Sequence, residues 1–327
     1  MNVLILIHSP FAIWNIPLAH VERLRAHFPR HQFVHARDER EGTEMIADAE
    51  AAFSAQVRQE QLARAAKLRW IHSPAAGVGS MLYPEMRARP VVITNSRGMA
   101  AETMAEHALA MTLAMFRRLP IAVRRQSERR WAQDEISAGM PNRAVSGAEI
   151  VVVGLGAIGS AVAAKFAALG ARVRGIRRRP EAGPQDSVVE VASPDKLLAF
   201  LPDADVVIIS APETSATRDL IGAKELSSMK PDALLVNLSR GKLVDETALI
   251  EALRNGRIGG AALDVFEHEP LAEDSPLWSL PNVLITPHTS GFRPDHWAAA
   301  TSLFADNLRR FERGEPLLNV VDKEAGY

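Results

Sequence analysis

The chain has 327 residues, room for two domains, with 47% apolar and 24% charged residues, an ordinary globular balance. Its formal net charge of −1 gives no sign of nucleic acid or an anionic membrane, so neither is expected as a partner. The absence of cysteine removes disulfides, thiol nucleophiles and cysteine metal sites, and no metal is expected.

The first residues, MNVLILIHSP, are apolar but lack a basic start and a small-residue cleavage site. They break at Ser9-Pro10 and read as a strand, not a signal peptide. No apolar run reaches the ~18 residues of a membrane span. A cytoplasmic protein is expected.

Residues 1 to 98 alternate strands and helices. Strands are predicted at Val3–Ile7, Gln32–His35, Ala51–Ser54, Leu68–His72 and Val91–Thr94, with helices near Leu18–Phe28, Glu44–Ala49 and Gln59–Ala66. Such alternation implies a parallel sheet covered by helices. Between the last two strands lies His72-Ser73-Pro74-Ala75-Ala76-Gly77-Val78-Gly79, small and flexible, just past a strand's carboxyl end. Open α/β sheets bind ligands there, although an ordinary surface loop is the plainer reading.

Met99 to Leu119 reads as one long helix, ended by Arg117-Arg118 and Pro120 and suited to an interface. Glu106 and His107 on it read as satisfied polar contacts, not chemistry. Ile121 to Ser146 is a polar, basic connection containing Pro, Asn and Gly.

The strand Ile150–Val153 then runs into Gly154, Leu155, Gly156, Ala157, Ile158 and Gly159, followed by a helix to Leu169. This is G-x-G-x-x-G in a strand–turn–helix setting. Gly154 allows a tight turn, Gly156 a close approach to a pyrophosphate, and Gly159 close helix–strand packing. The helix N-terminus offers free N–H groups and a partial positive charge to the phosphates. Further strands are predicted at Arg172–Ile176, Val188–Val191, Val206–Ser210, Leu234–Asn237, Gly260–Asp264 and Val283–Thr286. Helices fall at Pro194–Phe200, Ala223–Met229 and Glu246–Arg254. A last helix, Asp295 to Arg313, has an apolar face and is expected to return to the first domain.

The residue ending the second strand of a dinucleotide fold selects the cofactor: an acid binds the ribose 2′-OH, an arginine a 2′-phosphate. Here the strand ends in Arg177-Arg178-Arg179, and no acid appears until Glu181. Arg177 and Arg178 suit a phosphate through their planar donor forks, a solvated basic loop being the alternative. NADP(H) is the favoured cofactor, with NAD(H) second.

Arg240, Glu269 and His288 each stand at or beyond a predicted strand end in this second half, and such ends face one crevice. Transfer of a hydride to a 2-keto acid needs a cation to hold the carboxylate and polarise the keto oxygen, which arginine does at two points. It needs a proton donor for the developing alkoxide, the work of histidine. A carboxylate beside the histidine favours its protonated form. His268 is the rival histidine, but it lies in a charged run before Pro270 and reads as solvated.

With GLGAIG, Val236 to Glu246 (VNLSRGKLVDE), Ala262 to Pro270 (ALDVFEHEP) and Pro276 to Gly291 (PLWSLPNVLITPHTSG), the chain resembles the D-isomer-specific 2-hydroxyacid dehydrogenases. The likeness covers nearly the whole chain. It implies an α/β protein of two Rossmann-like doubly wound domains. One is a discontinuous, flavodoxin-like substrate domain, residues 1–98 plus 291–327, and the other an inserted dinucleotide-binding domain, residues 99–290. By resemblance Arg240 binds substrate, His288 is the acid/base and Glu269 its partner. Ala76, Gly77 and Val78 would offer backbone N–H groups to the substrate carboxylate. Asp264 would lie near the nicotinamide carboxamide, and Ser210, Ala211 and Pro212 along the cofactor. Thr217, Leu238, Ser239, His288 and Ser290 complete the expected cofactor contacts. A homodimer through the 99–119 helix region is implied.

Two departures stand out. Many relatives carry an acid at the position of Arg177, whose absence favours NADP(H), and many carry Asp where this chain has Gly79. The chain ends at Tyr327, without room for the added domain common in phosphoglycerate dehydrogenases. The expected activity is reduction of a small 2-keto acid of the glyoxylate or hydroxypyruvate type. A nicotinamide-sensing co-repressor and a phosphite or formate dehydrogenase are the alternatives. Trp14, Ser73, Tyr83, Arg97, Phe292 and Trp297 are further candidates for lining the substrate pocket.

Overall fold

The computed structural model describes residues 1–138, 142–181 and 186–326, so part of the connection read from Ile121 to Ser146 lies outside the described residues. The chain divides into two compact units, residues 1–99 with 293 onward, and residues 100–292.

The first unit is built on strands β1 (Asn2–Leu6), β2 (Gln32–Ala36), β3 (Ala51–Ser54), β4 (Trp70–Ser73) and β5 (Val92–Asn95). Between them run helices α1 (Leu18–His27), α2 (Glu39–Met45), α3 (Gln59–Arg64) and α4 (Pro84–Ala88). The strands pair parallel in the order β2-β1-β3-β4-β5, the flavodoxin-like winding. Period-two alternation divides the core. Leu4 and Leu6 face one layer with Ile46, Leu62 and Met86, whereas Val3 and Ile5 face the other with Val21, Leu24 and Phe28.

The last helix, His296–Arg313, covers that second face. Its Phe304 stacks on Phe53 and Trp70, with centroids 4.5 and 5.2 Å apart. Burying each such ring or branched side chain contributes roughly 1.5–3 kcal/mol. His72 lies in the same layer, wholly buried, its Nδ1 2.8 Å from Thr94 Oγ1. Burial alone pushes its pKa down to about 3.

The second unit begins with α5 (Ala101–Phe116), α6 (Leu119–Ser127) and α7 (Gln133–Ser137). The single helix expected from Met99 to Leu119 therefore stops early. Arg118 turns left-handed at φ 56°, and Pro120, which cannot continue a helix, sits in the first turn of the next. Two short helices stand where a polar connection was expected. Then follow β6 (Glu149–Val153), α8 (Ala157–Ala168), β7 (Arg172–Ile176), β8 (Glu190–Ala192), α9 (Leu197–Phe200), β9 (Val206–Ile209), α10 (Ala223–Ser228), β10 (Leu234–Asn237), α11 (Glu246–Arg254), β11 (Gly260–Leu263) and β12 (Val283–Ile285).

All seven strands are parallel, in the order β12-β11-β10-β9-β6-β7-β8. This is the doubly wound dinucleotide order, with its reversal between β6 and β9. Both faces are covered, so the inner strands are largely apolar: in β6, Val151 and Val153 pack on one side, Ile150 and Val152 on the other. The register puts Ile176, Val153, Ile209, Asn237, Leu263 and Ile285 in one transverse row. The residues that follow that row leave the sheet at one edge. No helix among the described residues is long and apolar enough to cross a membrane.

Candidate active site

Five of the six chain exits from that row carry expected site residues: Arg177, Gly154, Ser210, Leu238 and Asp264. The sixth, Thr286, was not among them. The glycine turn falls at the reversal point. Gly154 has φ 98°, and a Cβ on it would meet Ala211 N at 2.5 Å. A Cβ on Gly159 would strike Gly154 O at 1.9 Å, whereas one on Gly156 would meet nothing within 4 Å. The first and third glycines thus hold strand, turn and helix together. The second leaves open space at the N-terminus of α8, where a pyrophosphate fits.

Ser210 Oγ donates to Gly154 O at 2.6 Å and ties β9 to the turn. Leu155 and Leu238 point into the core, 4% and 1% exposed, so only their backbones are available to a cofactor. Thr217 Oγ1 donates to Pro212 O at 2.7 Å and accepts the Thr214 N–H at 2.8 Å, bracing the loop after Ala211. Arg177 donates its backbone N–H to Ala192 O at 2.9 Å, and Arg178 and Arg179 are exposed beside it. The buried hydroxyl of Ser290 has no hydrogen-bond partner among the described residues. An orphaned polar atom and an open glycine turn in one unit fit a dinucleotide.

Past β10, the buried Asn237 shapes the Arg240 turn. Its Nδ2 donates to Arg240 O at 2.9 Å and its Oδ1 accepts the Ser239 N–H at 3.1 Å. Gly241 packs so closely that a Cβ would lie 1.8 Å from Phe266 C. This contact brings the Arg240 turn against the loop that carries Glu269. There Glu269 Oε1 accepts the Phe266 N–H at 3.0 Å, and Oε2 lies 2.7 Å from His288 Nδ1. Burial pushes the Glu269 carboxyl up, but the hydrogen bonds from His288 and Phe266 and the charges of His288 and Arg240 outweigh it. The carboxyl is held below its ordinary range. The side chains of His288 and Glu269 are 47% and 35% exposed, open to a ligand. The rival His268 is exposed in the same loop, as its charged surroundings suggested.

His288 has φ 53°, a left-handed conformation uncommon outside glycine, asparagine, aspartate and histidine. Asp264 holds it there. The Asp264 carbonyl accepts the His288 N–H at 2.8 Å. Its carboxylate, 0% exposed, accepts the Thr286 hydroxyl at 2.6 Å and the Thr289 and Ser290 N–H groups at 2.8 and 3.0 Å. The carboxylate expected beside the carboxamide is committed to building this loop.

In the first unit, the Ala76-Gly77-Val78 loop is held from below. Asn95 Nδ2 donates to Ala76 O at 2.6 Å, and the Ser96 N–H donates to Ala75 O at 3.1 Å. Ala76 and Gly77 are exposed and Val78 is buried. Of the other pocket candidates in this unit, Tyr83 packs on the core with its hydroxyl donating to Val57 O at 3.1 Å, and Ser73 is buried beneath the loop. Trp297 Nε1 donates to Ile13 O at 3.1 Å. Asn95, Asn237 and Thr286 were missed in the sequence; each is a polar residue ending or following a buried apolar run, which is the signal that could have found them.

A dinucleotide-type glycine turn, an arginine and an acid-backed histidine along one sheet edge fit a dinucleotide-dependent oxidoreductase. Residues 109–290 match the model of the D-isomer specific 2-hydroxyacid dehydrogenase, NAD binding domain. A glyoxylate reductase of Korarchaeum cryptofilum is 37% identical over 263 residues, 80% of this chain and 78% of the relative. A D-isomer specific 2-hydroxyacid dehydrogenase of Xanthobacter autotrophicus Py2, solved with NADPH and MES, superposes with a TM-score of 0.84 at 32% identity, covering 100% of this chain and 99% of that one. An NADPH-dependent glyoxylate/hydroxypyruvate reductase of Sinorhizobium meliloti, solved with NADP and sulfate, gives 0.81 at 26% identity, covering 100% and 99%. The chain belongs to the D-isomer specific 2-hydroxyacid dehydrogenase family, and it is an NAD(P)-dependent oxidoreductase of hydroxy acids.

Proposed function

We propose that this enzyme reduces a small 2-keto acid of the glyoxylate or hydroxypyruvate type, with NADP(H) preferred over NAD(H). The observation that carries the reading is the His288–Glu269 contact of 2.7 Å beside the Arg240 turn. When bound, a reduced nicotinamide supplies a hydride to the keto carbon. Arg240 grips the substrate and polarises its keto oxygen. Because His288 Nδ1 is turned to Glu269, Nε2 is the atom left to protonate that oxygen. Glu269, ionised and anchored by Phe266, orients the ring and stabilises its charged form. The Ala76–Val78 loop is assigned to the substrate carboxylate.

Arg177 and Arg178 are assigned to the adenosine 2′-phosphate, supported by the basic end of β7 and by the NADPH and NADP in the two solved relatives. The glyoxylate reductase named above supports the substrate class. A cytoplasmic homodimer through the 99–119 region is part of the reading. Its support is a run of exposed apolar residues on and after α5, namely Leu113, Leu119, Val123 and Trp131, the last 90% exposed. The test is a panel of 2-keto acids with both cofactors, following loss of the reduced ring's absorbance. Turnover of glyoxylate or hydroxypyruvate with the highest kcat/KM in NADPH is expected. Oxidation of neither cofactor with any keto acid would end the proposal.

A further inference from the structure

His107 was read as a satisfied polar residue on a buried helix, but its contacts lead to the His288 loop. From α5 its Nε2 reaches Thr286 Oγ1 at 3.0 Å and lies 3.8 Å from Asp264 Oδ1. Thr286 Oγ1 donates its proton to Asp264 Oδ1 at 2.6 Å. A hydroxyl has one proton, so the side of Thr286 that faces the ring is a lone pair. His107 Nε2 must therefore carry a hydrogen and donate it. The direction of the whole relay is set: His107 to Thr286, Thr286 to the Asp264 carboxylate.

That carboxylate is fully buried and holds the Thr289 and Ser290 N–H groups, while the same residue's carbonyl holds the His288 N–H. One aspartate thus grips the strand-end loop on both sides of His288. A buried carboxylate is held in place by the donors that meet its lone pairs. His107 is the outermost support of that arrangement, at 22% side-chain exposure. An apolar side chain at this position would leave the Thr286 lone pair unmet and remove the donor that fixes the Thr286 hydroxyl toward Asp264.

We infer that His107 is a positioning residue, which acts through Thr286 and Asp264 to keep the 286–290 loop in the one shape that presents the His288 ring to Glu269. The inference rests on the reading of His288 as the proton donor. It calls for a donor at the place of Nε2, not for a histidine as such. Glutamine supplies that donor with a side chain of similar reach, and leucine fills the volume without it.

The test compares wild type with His107→Gln, His107→Leu, Thr286→Val and the His107→Leu/Thr286→Val pair, by kcat and KM for keto-acid reduction and by NADPH binding through ring fluorescence. His107→Leu should lower kcat by about 10- to 100-fold, the size of effect that follows a small misplacement of a reacting group, with little change in NADPH binding. His107→Gln should retain most of the wild-type kcat. The double variant should be no slower than Thr286→Val alone, because the relay is broken once. An active wild type with His107→Leu equally active, equal losses in Gln and Leu variants, or additive losses in the pair would overturn the inference and leave the reading of the site standing. A wild type that reduces no keto acid would overturn that reading instead. Should His107→Leu not fold, nitrogen-15 spectra of the wild-type imidazoles decide: a proton on His107 Nε2 supports the relay, and a neutral ring protonated only on Nδ1 overturns it.

Discussion

Glu269 and His288 meet through Oε2 and Nδ1 at 2.7 Å, and the other oxygen of Glu269 is occupied by the Phe266 N–H. The carboxylate therefore cannot turn without breaking a backbone hydrogen bond, and the imidazole is oriented by a partner that is itself anchored. Burial raises the Glu269 pKa and its hydrogen bonds and charged neighbours lower it more, for a net downward shift from 4.5. A depressed carboxyl contributes stability above its unfolded value, and the contribution is lost as pH falls through the lower folded value. At neutral pH the group is ionised. Glu269→Gln should lower kcat by roughly 10²-fold, the scale of acid–base assistance, and steady-state kinetics at neutral pH would show it. Wild-type turnover in that variant would contradict the pairing.

Gly241 is the point of contact between the Arg240 turn and the Glu269 loop. A Cβ there would sit 1.8 Å from Phe266 C and 2.0 Å from its O, and backbone cannot yield as a flexible side chain does. Gly241→Ala should destabilise the enzyme by about 1–3 kcal/mol. Denaturant unfolding measures this, and the surviving folded enzyme should be slower as well, since both loops must move.

Arg177 and Arg178 are the basis for NADP(H) preference. A charge-assisted hydrogen bond contributes about 1.5–3 kcal/mol, so losing one should weaken NADPH binding roughly 10- to 100-fold. Arg177→Asp should do so while leaving NADH affinity unchanged or improved. Fluorescence titration with both cofactors reads the ratio, and equal losses for the two would refute the assignment.

His72, buried in the core of the first unit, predicts a pH-dependent stability. Its folded pKa is about 3 against 6.5 unfolded, so between these values only the unfolded chain takes up the proton. Stability is full above the unfolded value and falls with pH below it, by at most about 1.4 kcal/mol per pH unit from this group. Urea unfolding across mildly acidic pH should show that slope. His72→Asn should flatten it, at the cost of the ring's packing on Phe53 and Phe304.

Much of this was legible in the chain. The alternation of short apolar runs such as Val3–Ile7 with helical stretches announces a parallel sheet covered by helices, and four apolar residues leading into Gly154 announce the turn. What strand ends share is a direction, so Arg240, Glu269 and His288 could be placed along one edge without knowing the register. The rest depended on distance in space. His107 and Thr286 are 179 residues apart, and no local pattern joins them. The break at Arg118 was half visible in Pro120, but a left-handed residue leaves no periodic mark. The start of α2 at Glu39 was missed although Asp38, whose side chain accepts the Glu41 N–H, is an N-cap by type.

The central claim is that Arg240 and His288 act on one keto acid. Rates of NADPH oxidation by glyoxylate for wild type, Arg240→Ala and His288→Ala, each checked for nucleotide binding, test it most directly. The account predicts that both variants still bind NADPH but lose at least about 10²-fold in kcat/KM. Turnover at the wild-type rate in both would contradict it.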